Sequence, residues 1–295
     1  MPGPRTALAL GLSLALLCGC AESQGRPGRL ATLGSDLKGA GRDLAGAAMH
    51  EVPPHSPEQW AYLGGLAASS AYLETRKEDL RRQVLRSSLF RNSGWTDIGG
   101  QIGLSRNVEL AAASFYAVGL AEDLPRTRET GLLLGESILA SQAATGVLKF
   151  VFSEERPQQG GRLRYFHSGG TSASIHVTNA MATARVLDYE LSREIENRPG
   201  RILARIGIYA LPAVTGWQRM RSDQHYLWNV ILGGGASFYM TSAVLRQHDR
   251  DRAGGEPDRT APQLVAMPTR GRGAELRLVW SCPGLRLTRS GHPSC

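Results

Sequence analysis

Five side chains, in three separated segments, have the chemistry to take up a phosphoryl group: Lys149 and Arg156, then His176, then Arg219 and His225. A phosphate monoester carries up to about two negative charges and strong acceptor oxygens. A site that binds it without metal must supply cations and N–H donors. Arginine gives planar, bidentate contacts and lysine a point charge. A histidine nucleophile splits hydrolysis into two steps through a phosphohistidine, and a second histidine protonates the leaving alkoxide near neutral pH. His225 and His176 suit these two roles. Asn229 follows His225 by one helical turn, a spacing that lets it orient the ring.

Each segment lies at the edge of a stretch with helical periodicity. Leu132, Leu133, Ile138, Leu139, Ala143, Val147 and Leu148 mark one apolar side and predict a helix from Thr127 or Arg128 to Phe152, stopped by Pro157. Further helices are predicted from about Ser174 to Arg193, from Arg201 to about Thr215 with a bend at Pro212, and from His225 to Arg246. Upstream, Ser56 and Pro57 open a helix through Trp60, Leu63, Leu66 and Ala67, continued by Leu73 to Leu85. Asn107 caps another that runs to Ala121. Residues 92–100 read as a glycine-rich break and 158–172 as a loop. No run offers about 18 apolar residues free of charge, the requirement for a membrane span; Glu136 interrupts the longest. The fold class is all-α, a helical bundle.

The ends have a different character. Residues 1–19 read as a signal peptide, with Arg5 before an apolar run from Ala7 to Leu17 that is too short to span. Leu17-Cys18-Gly19-Cys20 resembles the bacterial lipobox, which makes Cys20 the lipidated first residue of the mature chain and a membrane anchor. Residues 20–56 read as a disordered tether, with at most a short helix at Leu37–Met49, and 57–246 as the helical domain. Residues 247–295 form a linker and tail, in which Gln263–Met267 and Ala274–Trp280 predict a β-hairpin. Cys282 and Cys295 are free thiols or, in an oxidising compartment, a disulfide. The formal charge is +8. With no helix-turn-helix, zinc-finger or RNA-binding pattern, that excess favours anionic small molecules or lipid head groups over nucleic acid. No zinc-like Cys/His spacing, Walker loop or Rossmann glycine pattern is present.

The three segments together resemble the type 2 phosphatidic acid phosphatase superfamily, which includes bacterial class A acid phosphatases and vanadium haloperoxidases. Its pattern is K-x6-R-P, then P-S-G-H, then S-R-x5-H-x3-D. Lys149 to Arg156-Pro157 matches the first element and Arg219 to His225 the third; the resemblance covers Leu132 to Phe238. It implies a bundle of the acid phosphatase/haloperoxidase type. It makes His225 the nucleophile, His176 the general acid/base and Asn229 the orienting residue. Lys149, Arg156, Arg219, Ser174 and the N–H of Ile175 become the phosphate ligands. No metal or other cofactor is implied for hydrolysis, and vanadate only if the chain is a haloperoxidase. The implied substrates are phosphate esters: small phosphomonoesters, lipid phosphates or prenyl diphosphates. The implied location is the bacterial envelope, anchored in the outer membrane and facing the periplasm. A third possibility is a non-catalytic, anion-binding lipoprotein.

The middle element reads Ala173-Ser174-Ile175-His176, without the proline and glycine; a rival alignment through His167-Ser168-Gly169-Gly170 keeps Ser-Gly but loses the histidine. Gln218 replaces the serine before Arg219, and Asn229 replaces the aspartate. An amide can accept from imidazole but cannot balance an imidazolium, and an Asp-to-Asn change in a serine-protease triad costs about 10⁴ in turnover. Ile175, being β-branched, is poorly suited to a conformation that needs glycine. His167 and the pair Glu154–Glu155 read as solvated.

Overall fold

The computed structural model describes residues 28–88 and 95–253 and four short strands beyond them. The signal peptide, Cys20, Cys282 and Cys295 lie outside the described residues. The chain is an all-α bundle. Helices α1 (Arg29–Gly46), α2 (Pro57–Thr75), α3 (Lys77–Arg86) and α4 (Trp95–Ile102) precede α5 (Ser105–Ala121) and α6 (Pro125–Val151); α7 (Ile175–Glu194), α8 (Arg198–Arg221) and α9 (Leu227–Arg252) complete it. Between α6 and α7 a small hairpin pairs β1 (Phe152–Glu154) with β2 (Leu163–Tyr165), antiparallel. In the tail β3 (Gln263–Pro268) pairs with β4 (Ala274–Val279), antiparallel, forming the expected hairpin.

Local signals account for the element ends. Ser56 accepts from Gln59 N at 3.3 Å, while the Gln59 side chain accepts from Ser56 N at 3.2 Å, closing a capping box with Pro57 in the first turn. Asn197 caps α8 by accepting from Gly200 N at 2.7 Å.

Five expectations change. Most of the tether is structured: α1 and a π-helical turn (Ala47–Glu51) dock on the bundle. Glu51 is 2% exposed and pairs with Arg246 at 2.8 Å and Arg250 at 2.7 Å. The final helix runs past Arg246 to Arg252, because His248 and Arg252 hold Glu129 of α6, each at 2.7 Å. The glycine-rich break carries α4, whose Gly99 allows close approach to α8; a Cβ there would lie 2.9 Å from the Val214 carbonyl. The loop 158–172 contains β2. Finally, α8 runs from Arg198 to Arg221, longer at both ends than Arg201 to Thr215, with Pro212 inside it.

The membrane expectation also shifts. By length and composition α6 is apolar enough to cross a membrane, although 44% of its most apolar window is buried in the protein. Glu136 faces inward, 5% exposed, beside Leu133, Leu134 and Ile138. Leu139, Val147 and Phe150 face outward and are exposed.

Two apolar clusters form the core. One joins Val108, Leu133, Leu134, Ile138, Val186 and Leu245 across α5, α6, α7 and α9. The other gathers Ala173, Tyr226, Trp228 and Leu232, with Leu66, Leu73, Leu148 and Phe152 against them. This second cluster positions the site, since Leu148, Ala173 and Tyr226 are the chain neighbours of Lys149, Ser174 and His225.

Candidate active site

Lys149 lies in the last turn of α6 and Arg219 in the last turn of α8. Arg156 leads into the short 3-10 turn Pro157–Gln159. Ser174 is the N-cap of α7, with Ile175 and His176 its first two residues. His225 immediately precedes Tyr226, the N-cap of α9. Both histidines therefore lie at the N-terminal ends of helices, where the dipole is positive.

Electrostatics shows that the groups share one locality. Burial pushes the His225 imidazole well below its usual range, and Arg219, Lys149, His176 and Arg156 push it further. His176 is lowered to about 4, by burial and then by Arg219 and Lys149. Lys149 is lowered by burial, Arg156 and Arg219, and Arg219 by burial and Arg156. Among the described residues no carboxylate pairs with any of these three cations. Their repulsion is unrelieved in the free protein, which favours an anion. Both histidines are consequently neutral near pH 7.

Several polar atoms at the site are sealed from water and have no partner among the described residues: Nδ1 of His176, Nδ1 of His225, Ser174 Oγ, Arg219 Nε and Gln218 Oε1. Ser174 makes no side-chain cap bond, which leaves its hydroxyl free for a ligand. The backbone strain expected at Ile175 falls elsewhere. Ile175 is the helical first residue of α7, while Ala173, fully buried, takes the left-handed conformation at φ 52°. The run of the rival alignment is exposed: the ring Nδ1 and the Ser168 carbonyl of His167-Ser168 lie 2.7 Å apart, and Gly170 packs on Ser153.

Asn229 does not hold the His225 ring. Its Oδ1 accepts from Tyr226 N at 2.9 Å, its Nδ2 donates to Glu154 Oε2 at 2.9 Å, and its carbonyl accepts from Ser174 N at 3.1 Å. Capping the first turn of α9 uses the oxygen that the orienting role required. Glu154, read from sequence as solvated, is 1% exposed and pairs with Lys77 of α3 at 2.9 Å. Lys77 also donates to the Gly161 carbonyl at 3.0 Å. Strand alternation was the available signal, since it turns Glu154 and Glu155 to opposite faces; Glu155 pairs outward with Arg164.

The apolar surface next to Lys149 is also exposed. Val147, Phe150, Tyr165 and Phe166 are all more than half exposed, with the Phe150 and Phe166 rings edge to face at 6.1 Å. Two clefts elsewhere, of about 540 Å³ along Tyr72–Arg86 and about 370 Å³ around Arg185 and Phe238, include none of the cluster's residues. Charge convergence, not cleft volume, marks the candidate site.

Residues 130–253, from α6 to just past α9, match the family model of the PAP2 superfamily. The crystal structure of a transmembrane PAP2-type phosphatidylglycerolphosphate phosphatase from Bacillus subtilis is similar over 64% of this chain and 95% of its own, at 16% identity and a TM-score of 0.49. No curated protein matches the sequence.

Proposed function

We propose, for a chain that belongs to the PAP2 superfamily through residues 130–253, hydrolysis of phosphate esters through a phosphohistidine on His225. The observation that carries this reading is the setting of His225, buried beside Arg219, Lys149 and Arg156, which have no carboxylate partner among the described residues. Burial first, and then those three charges, keep the imidazole neutral, the nucleophilic form. Because Nδ1 is sealed in protein, Nε2 is the nitrogen assigned to attack.

A phosphate seated among Lys149, Arg156 and Arg219, with Ser174 Oγ and the Ile175 N–H completing its contacts, reverses the local field. Its negative charge raises His176, which then holds the proton that the leaving oxygen needs. As the N–P bond forms, the P–O bond to the leaving group breaks and that oxygen takes the His176 proton. In the second half, His176 accepts a proton from water. The water oxygen attacks phosphorus, the N–P bond breaks, and phosphate and His225 are released. The scheme uses side chains alone. Among the described residues nothing accepts from Nδ1 of His225, so turnover is expected to be slower than where a carboxylate backs the ring.

The exposed apolar ledge beside Lys149 supports a substrate with an apolar portion, a lipid phosphate or prenyl diphosphate. Lipidation of Cys20 would hold the protein at the envelope membrane, where such substrates lie. The test is release of phosphate from a water-soluble ester and a lipid phosphate by the mature protein in detergent, beside His225→Ala. The parent should also trap acid-labile, base-stable phosphate on His225; equal rates in the two proteins would dismiss the mechanism. The unpaired Nδ1 of His225 favours one second reading, an anion-binding protein without turnover. Phosphate that raises Tm in a protein with no hydrolytic activity would select it.

A further inference from the structure

We infer that Glu154 is a positioning residue whose buried carboxylate requires an amide at position 229, so that restoring the family's aspartate there disables the site. The inference rests on the reaction proposed above.

The site's three segments are joined at this pair. Glu154 lies two residues before Arg156, and its carbonyl accepts from Thr171 N at 2.7 Å and Thr171 Oγ1 at 2.9 Å, which holds the loop leading to Ser174. Asn229 takes Ser174 N on its carbonyl and Tyr226 N on its side chain. The link Asn229 Nδ2 to Glu154 Oε2 closes the triangle. With an N–H on one side and a carboxylate on the other, the amide has a single orientation that satisfies both.

An aspartate at 229 still accepts from Tyr226 N but brings its second oxygen against Glu154 Oε2, where a donor stood. The other charged and titratable groups at Glu154 do not absorb a second buried negative charge. Lys77, the one cation paired with it among the described residues, is shared with Glu74 at 3.2 Å. The Tyr226 hydroxyl is committed to Glu78 at 2.6 Å, and Glu78 is itself paired with Arg81. Two carboxylates at such a distance cannot both ionise at little cost. Glu154 is already raised by burial, against Lys77 and Asn229, which lower it. Lys77 and Glu74 also lie outside the residues that match the family, which explains why the family pattern alone points to the opposite substitution.

The test is a four-member cycle of the mature protein in detergent: parent, Glu154→Gln, Asn229→Asp and the double variant, which keeps the bond between positions 154 and 229 with donor and acceptor exchanged and leaves Tyr226 N donating to 229. Asn229→Asp is expected to lower Tm by roughly 5–15 °C and kcat by about 10–100-fold. Its introduced pair ionises with difficulty in the folded state, so the Tm deficit grows from pH 5 to pH 8. The double variant should recover most of both losses. Asn229→Asp equal to the parent in Tm and kcat, or a double variant no better than Asn229→Asp, overturns the inference. Recovery of Tm without kcat reduces Glu154 to structural support. Tm needs no substrate, so if no protein in the set hydrolyses esters, the reaction fails while the Tm pattern still decides the pairing.

Discussion

Gly103 lies directly against the backbone of His176. A Cβ added at Gly103 would stand 2.1 Å from the His176 carbonyl oxygen and 2.6 Å from its carbonyl carbon. The turn between α4 and α5 therefore sets where α7 begins, and with it the general acid. Gly103→Ala is expected to displace the first turn of α7 and lower kcat about 10–100-fold, with far-UV circular dichroism unchanged. Unaltered kcat in a folded variant would mean that the turn yields and does not set His176.

His176 links acidity to stability. Its folded-state pKa of about 4 lies below the ordinary imidazole value of 6.5. The folded protein binds that proton less readily than the unfolded chain, so stability is complete above about pH 6.5 and falls as pH drops toward 4. Tm is expected to decline over that window, with His176→Asn showing a shallower decline. Inorganic phosphate should protect the parent most at the acidic end, where it supplies the charge that a protonated His176 needs. A decline of equal steepness in the two proteins would assign the acid sensitivity elsewhere.

Legibility in the sequence followed the range of the interactions. Lys149, Arg156, His176, Arg219 and His225 were readable because each sits where an apolar periodicity ends, and their shared electrostatics follows from that placement. Spacing along a helix cannot tell which partner takes the Asn229 amide oxygen, and in the fold the Tyr226 N–H takes it. Glu154 and Lys77, 77 residues apart, were invisible as a pair, since nothing local marks a long-range ion pair. Helix α1 and the π-helical turn after it lack the local mark of docked elements, because charges hold them, Asp36 of α1 to Arg128 and Glu51 of the turn to Arg246 and Arg250.

Glu136 gives a pH effect of opposite sign. Burial and the nearby Asp43 carboxylate raise it to about 8, and its Oε2 has no partner. The folded state holds this proton where the unfolded chain releases it near 4.5. Its contribution is thus present at low pH and lost as pH rises toward 8. Glu136→Gln keeps the shape without the charge. It is expected to match the parent near pH 5 and to exceed it in Tm at pH 8, by a gap that opens steadily between. A parallel pair of Tm curves would show that Glu136 is solvated in the folded protein.

Arg219 ties phosphate affinity to the state of both histidines. It is the strongest charged depressor of His225 and of His176, and its own Nε is buried without a partner. Arg219→Gln removes a charge-assisted phosphate contact, a loss of about 1.5–3 kcal/mol or roughly 10–100-fold in phosphate affinity. It also lifts the field that keeps His225 neutral. The nucleophile must be unprotonated to attack, so kcat/KM falls on the acid side, and that limb is expected to move to higher pH in the variant. Lys149→Gln should shift it in the same direction but less, because Lys149 ranks below Arg219 at both rings. Phosphate inhibition constants and kcat/KM profiles from pH 4 to 8 measure the two effects separately. Weakened phosphate binding with an unmoved acid limb would leave Arg219 as a ligand and remove it from the control of His225.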